Sequence, residues 1–317
     1  MWVARGLMVV LVGWATNAFA APCPCSDVFV GRGIPFIAEG IARDANTDRL
    51  FVASVATRRI VVVRDGQQRD FAHLPDDYSP LGIAFANGVL WVTAATLPQG
   101  AGRDGPSALI AFDPGGNLKN IYPVPDDGSH VLNDLAFAPD GTIYTSDARE
   151  GSLYALAPGA NALIRLGKRG LLKSPQGMAV SSDGRSLLVA DYSMGLVKLD
   201  IAPASFAPLI NPGSINIKGI DGLARLRDGS FIASQNGTRA PHILRLTLSP
   251  DWSTLLSADV IAADDPSVAD PSLLMADPSG AYVVGVSQWA SFAKERRAPT
   301  SPVQPWRIVK LGLSAGH

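Results

Sequence analysis

At 317 residues, 47% hydrophobic and 17% charged, the chain is long enough to bury a large core and too apolar for disorder. A formal net charge of −1 with no long basic block argues against nucleic-acid binding through phosphate neutralisation. Length alone suggests about two domains, but a closed repeat fold can absorb that length in one.

Residues 1–20 read as a secretory signal peptide. Arg5 supplies the positive start, Leu7 to Trp14 the apolar run, and Ala18-Phe19-Ala20 the small-residue cleavage pattern. The run is too short for a membrane span. The reading implies export to the periplasm or the exterior with no span left after cleavage; an uncleaved N-terminal anchor is the alternative. Residues 21–35, rich in Pro, Gly and Cys, form an extended lead-in. They hold the only two cysteines, Cys23 and Cys25, so a disulfide framework is excluded. The pair can bridge locally, link two chains, help bind a metal, or lie in a tail with no catalytic role.

From residue 36 the chain repeats. Glu39-Gly-Ile-Ala leads to Arg49-Leu-Phe-Val-Ala-Ser. Leu81-Gly-Ile-Ala leads through Asn87-Gly88 to Val89-Leu-Trp-Val-Thr. Asn133-Asp-Leu-Ala leads through Asp140-Gly141 to Thr142-Ile-Tyr-Thr-Ser-Asp. Further copies start at Gln176, Asp221 and, more weakly, Ser272, with turns at Asp183-Gly184, Asp228-Gly229 and Ser279-Gly280. Asp-Gly and Asn-Gly between short apolar runs are hairpin signals, because Gly tolerates positive φ. Each copy continues into a third apolar run, such as Arg59-Ile-Val-Val-Val-Arg.

Repetition at intervals of roughly 40–50 residues, with three or four short strands per copy, points to an all-β fold. The expected architecture is a six-bladed β-propeller over residues 36–315, each blade a four-stranded antiparallel sheet around a central channel. A sandwich is the alternative, but it does not need the same hairpin six times. Helix is not expected, except briefly over residues 290–297. The segments 98–106, 126–130, 262–271 and 294–305 read as loops, which commonly shape the mouth of a site.

The first residue of each copy begins an innermost strand, so one such side chain per blade converges toward the axis. The ring reads Glu39, Leu81, Asn133, Gln176, Asp221, Ser272. Two carboxylates and two carboxamides offer hard oxygen donors, which suit Ca²⁺. Zn²⁺ favours His or Cys, and neither stands in the ring. A single polar lead residue can also simply cap a strand or hold channel water.

These lead motifs resemble the gluconolactonase, regucalcin and luciferin-regenerating-enzyme family of six-bladed propellers, over most of the chain but through short motifs. Glu39-Gly40, Asn133-Asp134 and Asp221-Gly222 are similar to the family's Glu-Gly, Asn-Asp/Gly and Asp-Gly. The resemblance implies a divalent metal, often Ca²⁺, held by Glu39, Gln176 and Asp221. Asn133 would help at the metal or substrate, and Asp221 would act as general base. Gln176 departs from the pattern, because the family usually has the shorter Asn there. Leu81 offers no ligand. The similar paraoxonases place an Asn after the fifth-blade Asp, where this chain has Gly222.

The implied activity is hydrolysis of a small-molecule lactone or related ester. His130, in a loop before Asn133, is a candidate for moving protons at the mouth. A propeller that binds a ligand or protein without catalysis, with a structural metal or none, is the second reading, since propellers host both. A strictosidine-synthase-like or sugar-oxidising propeller is a third, without a cofactor signature. Asp147 and Asp191 read as turn caps, Trp91, Tyr144 and Phe231 as core, and Trp289 as a mouth residue. Asn236-Gly-Thr238 matches a glycosylation sequon. No Gly-x-Ser-x-Gly elbow supports Ser-His-Asp hydrolysis on an α/β sheet.

Overall fold

A computed structural model describes residues 23–313 except 127, 214 and 293–296. The signal peptide predicted over residues 1–20 lies outside the described residues. The fold is a six-bladed β-propeller, with six four-stranded antiparallel sheets. The innermost strands, from blade 1 to blade 6, are Ala38–Asp44, Tyr78–Ala86, Leu132–Phe137, Pro175–Val180, Ile220–Arg225 and Leu274–Asp277. Each touches the next, and the last touches the first, so the ring is closed.

The expected hairpins follow from local chemistry. Gly141, Gly184, Gly229 and Gly280 all have positive φ. The aspartates ahead of the first three accept hydrogen bonds from the backbone N–H groups of Thr142, Arg185 and Ser230. Such Asx turns fold without help from the rest of the chain.

Strands here are apolar on both faces because each blade packs between two others. Phe51 and Ala53 face blade 2, while Leu50 and Val52, on the same strand, face blade 6. One buried apolar cluster lies between every pair of adjacent blades, giving six cores rather than one. Tyr144 and Phe231 are buried in them, and Trp91 is half-buried against Tyr122.

The segment read as a lead-in contributes a strand. Cys25–Val30 pairs with Arg307–Leu311 and forms the outer strand of blade 6. The N-terminal and C-terminal ends of the chain therefore share one sheet. Cys23 and Cys25 form a disulfide and pack against the core between blades 5 and 6. The loop expected at 98–106 starts with a helical turn, Pro98–Ala101. The brief helix expected over 290–297 is a 3₁₀ turn, Trp289–Ser291, and residues 293–296 of that segment lie outside the described residues. Among the described residues, no helix is long and apolar enough to cross a membrane.

Candidate functional site

In five blades the lead residue sits on a β-bulge. The pairing register of the two inner strands skips over Glu39-Gly40, Leu81-Gly82, Asn133-Asp134, Gln176-Gly177 and Asp221-Gly222. A bulge leaves residues out of the ladder and re-aims their side chains. The glycines are there because each bulge rests on the next blade. A Cβ on Gly40 would lie 2.2 Å from the Leu81 carbonyl oxygen, and one on Gly177 would lie 2.4 Å from Leu223 N.

Backbone groups freed by the bulges find hydroxyl partners. Gly82 N–H donates to Thr93 Oγ1 (2.8 Å), which donates to the carbonyl of Asn133 in blade 3 (2.9 Å). Ser146 accepts from Asp134 N–H and donates to the Gln176 carbonyl. Ser234 does the same between Gly222 N–H and the Ser272 carbonyl. Each hydroxyl ties one lead residue to the next.

Blades 5, 6 and 1 are neighbours in the ring, and their lead residues meet. Ser272 Oγ donates to Glu39 Oε2 (2.5 Å) and lies 3.5 Å from Asp221 Oδ2. The Trp289 indole N–H also donates to Glu39 Oε2. Asn236 Nδ2 donates to Asp221 Oδ2 (2.8 Å) and to the Pro271 carbonyl, while its Oδ1 accepts from Tyr192 OH (2.9 Å). In an antiparallel pair, the end of the second strand lies beside the start of the first. Tyr192, Asn236 and Trp289 all follow second strands, which brings them to this end of the channel.

Glu39 and Asp221 are both buried. Burial pushes the Glu39 carboxyl up, and the charge of Asp221 adds to the rise. Asp221 also rises, chiefly through burial, and the hydrogen bonds from Asn236 and Ser272 oppose this. Asp134 occupies the bulge position where other blades have glycine. Its carboxyl is raised to about 7 by burial and by Asp221, against hydrogen bonds from the backbone N–H groups of Leu135 and Met178. No basic side chain contributes to any of these shifts. Among the described residues, Glu39, Asp221 and Asp134 thus stand with no protein cation to balance them, and the charge of Asp270 adds to the rise at Glu39 and Asp221.

Asn133 and Gln176 make no hydrogen bond to these carboxylates among the described residues. Asn133 is 6% exposed, and its buried Nδ2 has no hydrogen-bond partner. A carboxamide turned over puts its oxygen where its nitrogen was. The orphaned position therefore suits an oxygen donor facing a cation. Gln176 instead turns its Nε2 to Ser174 Oγ (2.9 Å), a bond its extra methylene allows it to reach. The Glu39 and Asp221 carboxylates and the Asn133 carboxamide are hard oxygen donors of the kind that suits a divalent cation, while Gln176 is turned aside.

His130 is not at an open mouth. It is 2% exposed, with Nδ1 2.6 Å from Asp147 Oδ2 and Nε2 buried without a partner. Its backbone N–H donates to the Gly105 carbonyl in the neighbouring loop, and Asp147 holds the ring inside. Asp147 also accepts from the N–H groups of Val131, Arg149 and Glu150. Asp191 accepts from Lys173, Ser174, Ser193 and Met194. Both are turn caps. His130, Asp147 and Glu150 are close enough to share an ion, with ligand atoms within 4.8 Å. Arg165 and the largely exposed Arg169 already pair with Glu150.

The repeat register pointed to Glu39, Asp221 and Ser272 together. It did not point to Asn236 or Tyr192, whose loops do not repeat. The one available signal at Asn236 was its sequon, and its amide is taken up by Asp221, Pro271 and Tyr192.

A six-bladed propeller with an acidic, carboxamide-lined channel is the class that fold and site define. No protein-family model matches the sequence. No curated protein matches it significantly. Solved structures do match it in fold. Regucalcin from Agrobacterium tumefaciens strain C58, a calcium-binding protein, is 16% identical at a TM-score of 0.64, covering 93% of this chain and 96% of its own. A gluconolactonase from Xanthomonas campestris is 16% identical at 0.61, covering 87% and 86%. The PQQ-bound aldose sugar dehydrogenase of Streptomyces coelicolor is 13% identical at 0.59, covering 92% and 100%. The fold implied by the motif resemblance is therefore the fold of this chain. At these identities the likeness concerns the fold, and the site must carry the function.

Proposed function

We propose that this chain is an exported, metal-dependent hydrolase of lactones or related esters, with Ca²⁺ as its metal. One observation carries the reading. Glu39 and Asp221, from blades 1 and 5, are brought onto one serine hydroxyl in a buried sector that no basic side chain among the described residues balances. Glu39, Asp221, Asn133 and Gln176 would hold the cation, which would polarise the substrate carbonyl and stabilise developing negative charge.

The chain's own groups account for the proton. Asp221 takes it from water as the water oxygen adds to the carbonyl carbon. The bond from that carbon to the ring oxygen breaks, and Asp221 returns the proton to the leaving oxygen. Lactone and water give the hydroxy acid, and the carboxylate is restored. Asn236, held by Tyr192, keeps Asp221 Oδ2 in place. Ser272 and Trp289 fix Glu39. His130, buried against Asp147, has no part in this step.

The test is bound Ca²⁺ on the purified mature chain together with a lactone panel assayed with and without chelator. Turnover should vanish with chelator and fall by about 10³-fold or more in Asp221→Ala. Tightly bound metal with no turnover on any lactone or ester would favour a second reading, a binding propeller with a structural metal. The contact from Gln176 to Ser174 is the observation on that side, because it holds one expected donor away from the carboxylates.

A further inference from the structure

The channel mouth has two chemically opposite halves. Blades 4, 5, 6 and 1 supply Tyr192, Asn236, Asp221, Ser272 and Glu39. The other half begins at Leu81, the one apolar lead residue, which is 2% exposed. It continues through Ile37, Val55, Ala95, Leu97 and Phe292 as a single apolar cluster, separate from the six cores between blades. Ile37 directly precedes the inner strand of blade 1. Val55 and Leu97 directly follow second strands. This floor therefore lies at the same end as the lead residues.

Four half-buried residues, Ala56, Val131, Trp289 and Val303, pack against this cluster. Val131 lies two residues before Asn133. Trp289 belongs to both halves, with its ring against the apolar cluster and its N–H on Glu39. Gln288 fixes the segment that carries it. Its Oε1 accepts from Phe36 and Ile37 N–H, and its Nε2 donates to the carbonyls of Ile34 and Gln304. The wall is thus pinned to blade 1.

We propose that the preferred substrate is a lactone or ester carrying an apolar substituent, alkyl or aryl, and not a polyhydroxylated sugar lactone. The proposal rests on the hydrolase reading above and names the substrate of that site. With the carbonyl directed at the Glu39–Asp221 sector, a substituent lies along Trp289, Val131, Ala56 and Val303. An alkyl group there leaves water for an apolar surface, worth roughly a three- to fourfold gain per methylene. A sugar hydroxyl in the same place loses its water and meets no side-chain acceptor from the described members of that cluster, roughly a tenfold or greater penalty for each.

The full chain, loaded with CaCl₂, is assayed on γ-lactones of rising alkyl length and on δ-gluconolactone. In parallel, calorimetry measures binding of non-hydrolysable lactams carrying the same alkyl series. The expected result is kcat/KM rising about threefold per methylene over the first few carbons, with δ-gluconolactone slowest. Val131→Ser should flatten that slope. Faster turnover of δ-gluconolactone, or no dependence on chain length, overturns the proposal and leaves the hydrolase reading standing. Lactam affinity that rises with chain length while no lactone is hydrolysed supports the apolar wall and overturns the hydrolase reading. Neither turnover nor chain-length dependence in binding overturns both.

Discussion

Glu39 and Asp221 are held only by neutral donors, and those donors set what each can do. A hydrogen bond to a carboxylate stabilises its charged form. Asn236→Ala removes the bond to Asp221 Oδ2 and raises that carboxyl further, so the acid limb of the kcat/KM profile should move to higher pH. A mere packing defect would lower the profile without moving it. Gln176→Asn shortens the side chain by one methylene and breaks the reach to Ser174 Oγ. Ca²⁺ affinity by calorimetry should rise several-fold, on the order of 1 kcal/mol. Unchanged affinity would remove Gln176 from the donor set. At this scale the sequence was legible wherever a role followed from register. Glu39 and Asp221 share a repeat position, and Trp289 was readable from its place just past a strand end, whereas Tyr192 and Asn236 lie in loops with no periodicity to index them. His130 is the opposite case, a polar loop residue that a distant aspartate on the same blade draws into the interior.

The two inner strands of a blade form the element that builds the site. The hydroxyls of Thr93, Ser146 and Ser234 each serve a bulge in one blade and a lead-residue carbonyl in the next. Thr93→Val keeps the shape and strands Gly82 N–H and the Asn133 carbonyl in a buried place. The expected loss is about 2–4 kcal/mol of unfolding free energy in a denaturant titration. Because Asn133 shares that bond, metal affinity should fall as well. A loss under about 0.5 kcal/mol would show that the stitch is redundant. The hairpins were readable because Asp-Gly turns depend on neighbours in sequence. The bulges were not, because two residues facing one is a property of the pairing. In hindsight the glycine after four lead residues marked them, with Gly40, Gly82 and Gly177 denied a side chain by the backbone of the adjacent blade and Gly222 chiefly by the Ser234 hydroxyl.

Across the whole molecule, the three channel carboxylates make stability depend on pH. Their folded-state values lie above the ordinary ones, so between those two values the folded chain binds more protons than the unfolded chain. Stability of the metal-free protein should therefore fall as pH rises from about 4 toward 8, opposite to the usual paired carboxylate. Saturating Ca²⁺ should remove most of that fall, since the ion offsets the cost of carrying buried negative charge, chiefly desolvation and secondarily the neighbouring carboxylates. Melting temperatures across this range, with and without the ion, would show it. A metal-free chain as stable at pH 8 as at pH 5 would mean that the carboxylates are relieved some other way. The repeat predicted the six blades. The sequence carried no sign that residues 25–30 complete the last of them, because an outer strand needs little apolar patterning.

That pairing has a consequence for how the chain acquires its shape. Cys25 meets Leu311 across almost the full length of the polypeptide. Five blades are assembled from strands local in sequence, so each can form as it is synthesised. The sixth stays an open sheet edge until its partner from the other end arrives, and closing so long a loop is entropically expensive and slow. Glu39 and Ser272, on either side of that seam, meet only when it shuts. The Glu39 and Asp221 carboxylates of blades 1 and 5, joined through Ser272 of blade 6, are thus the last part of the protein to come together, and a chain stalled before closure would carry five finished blades and no acidic centre.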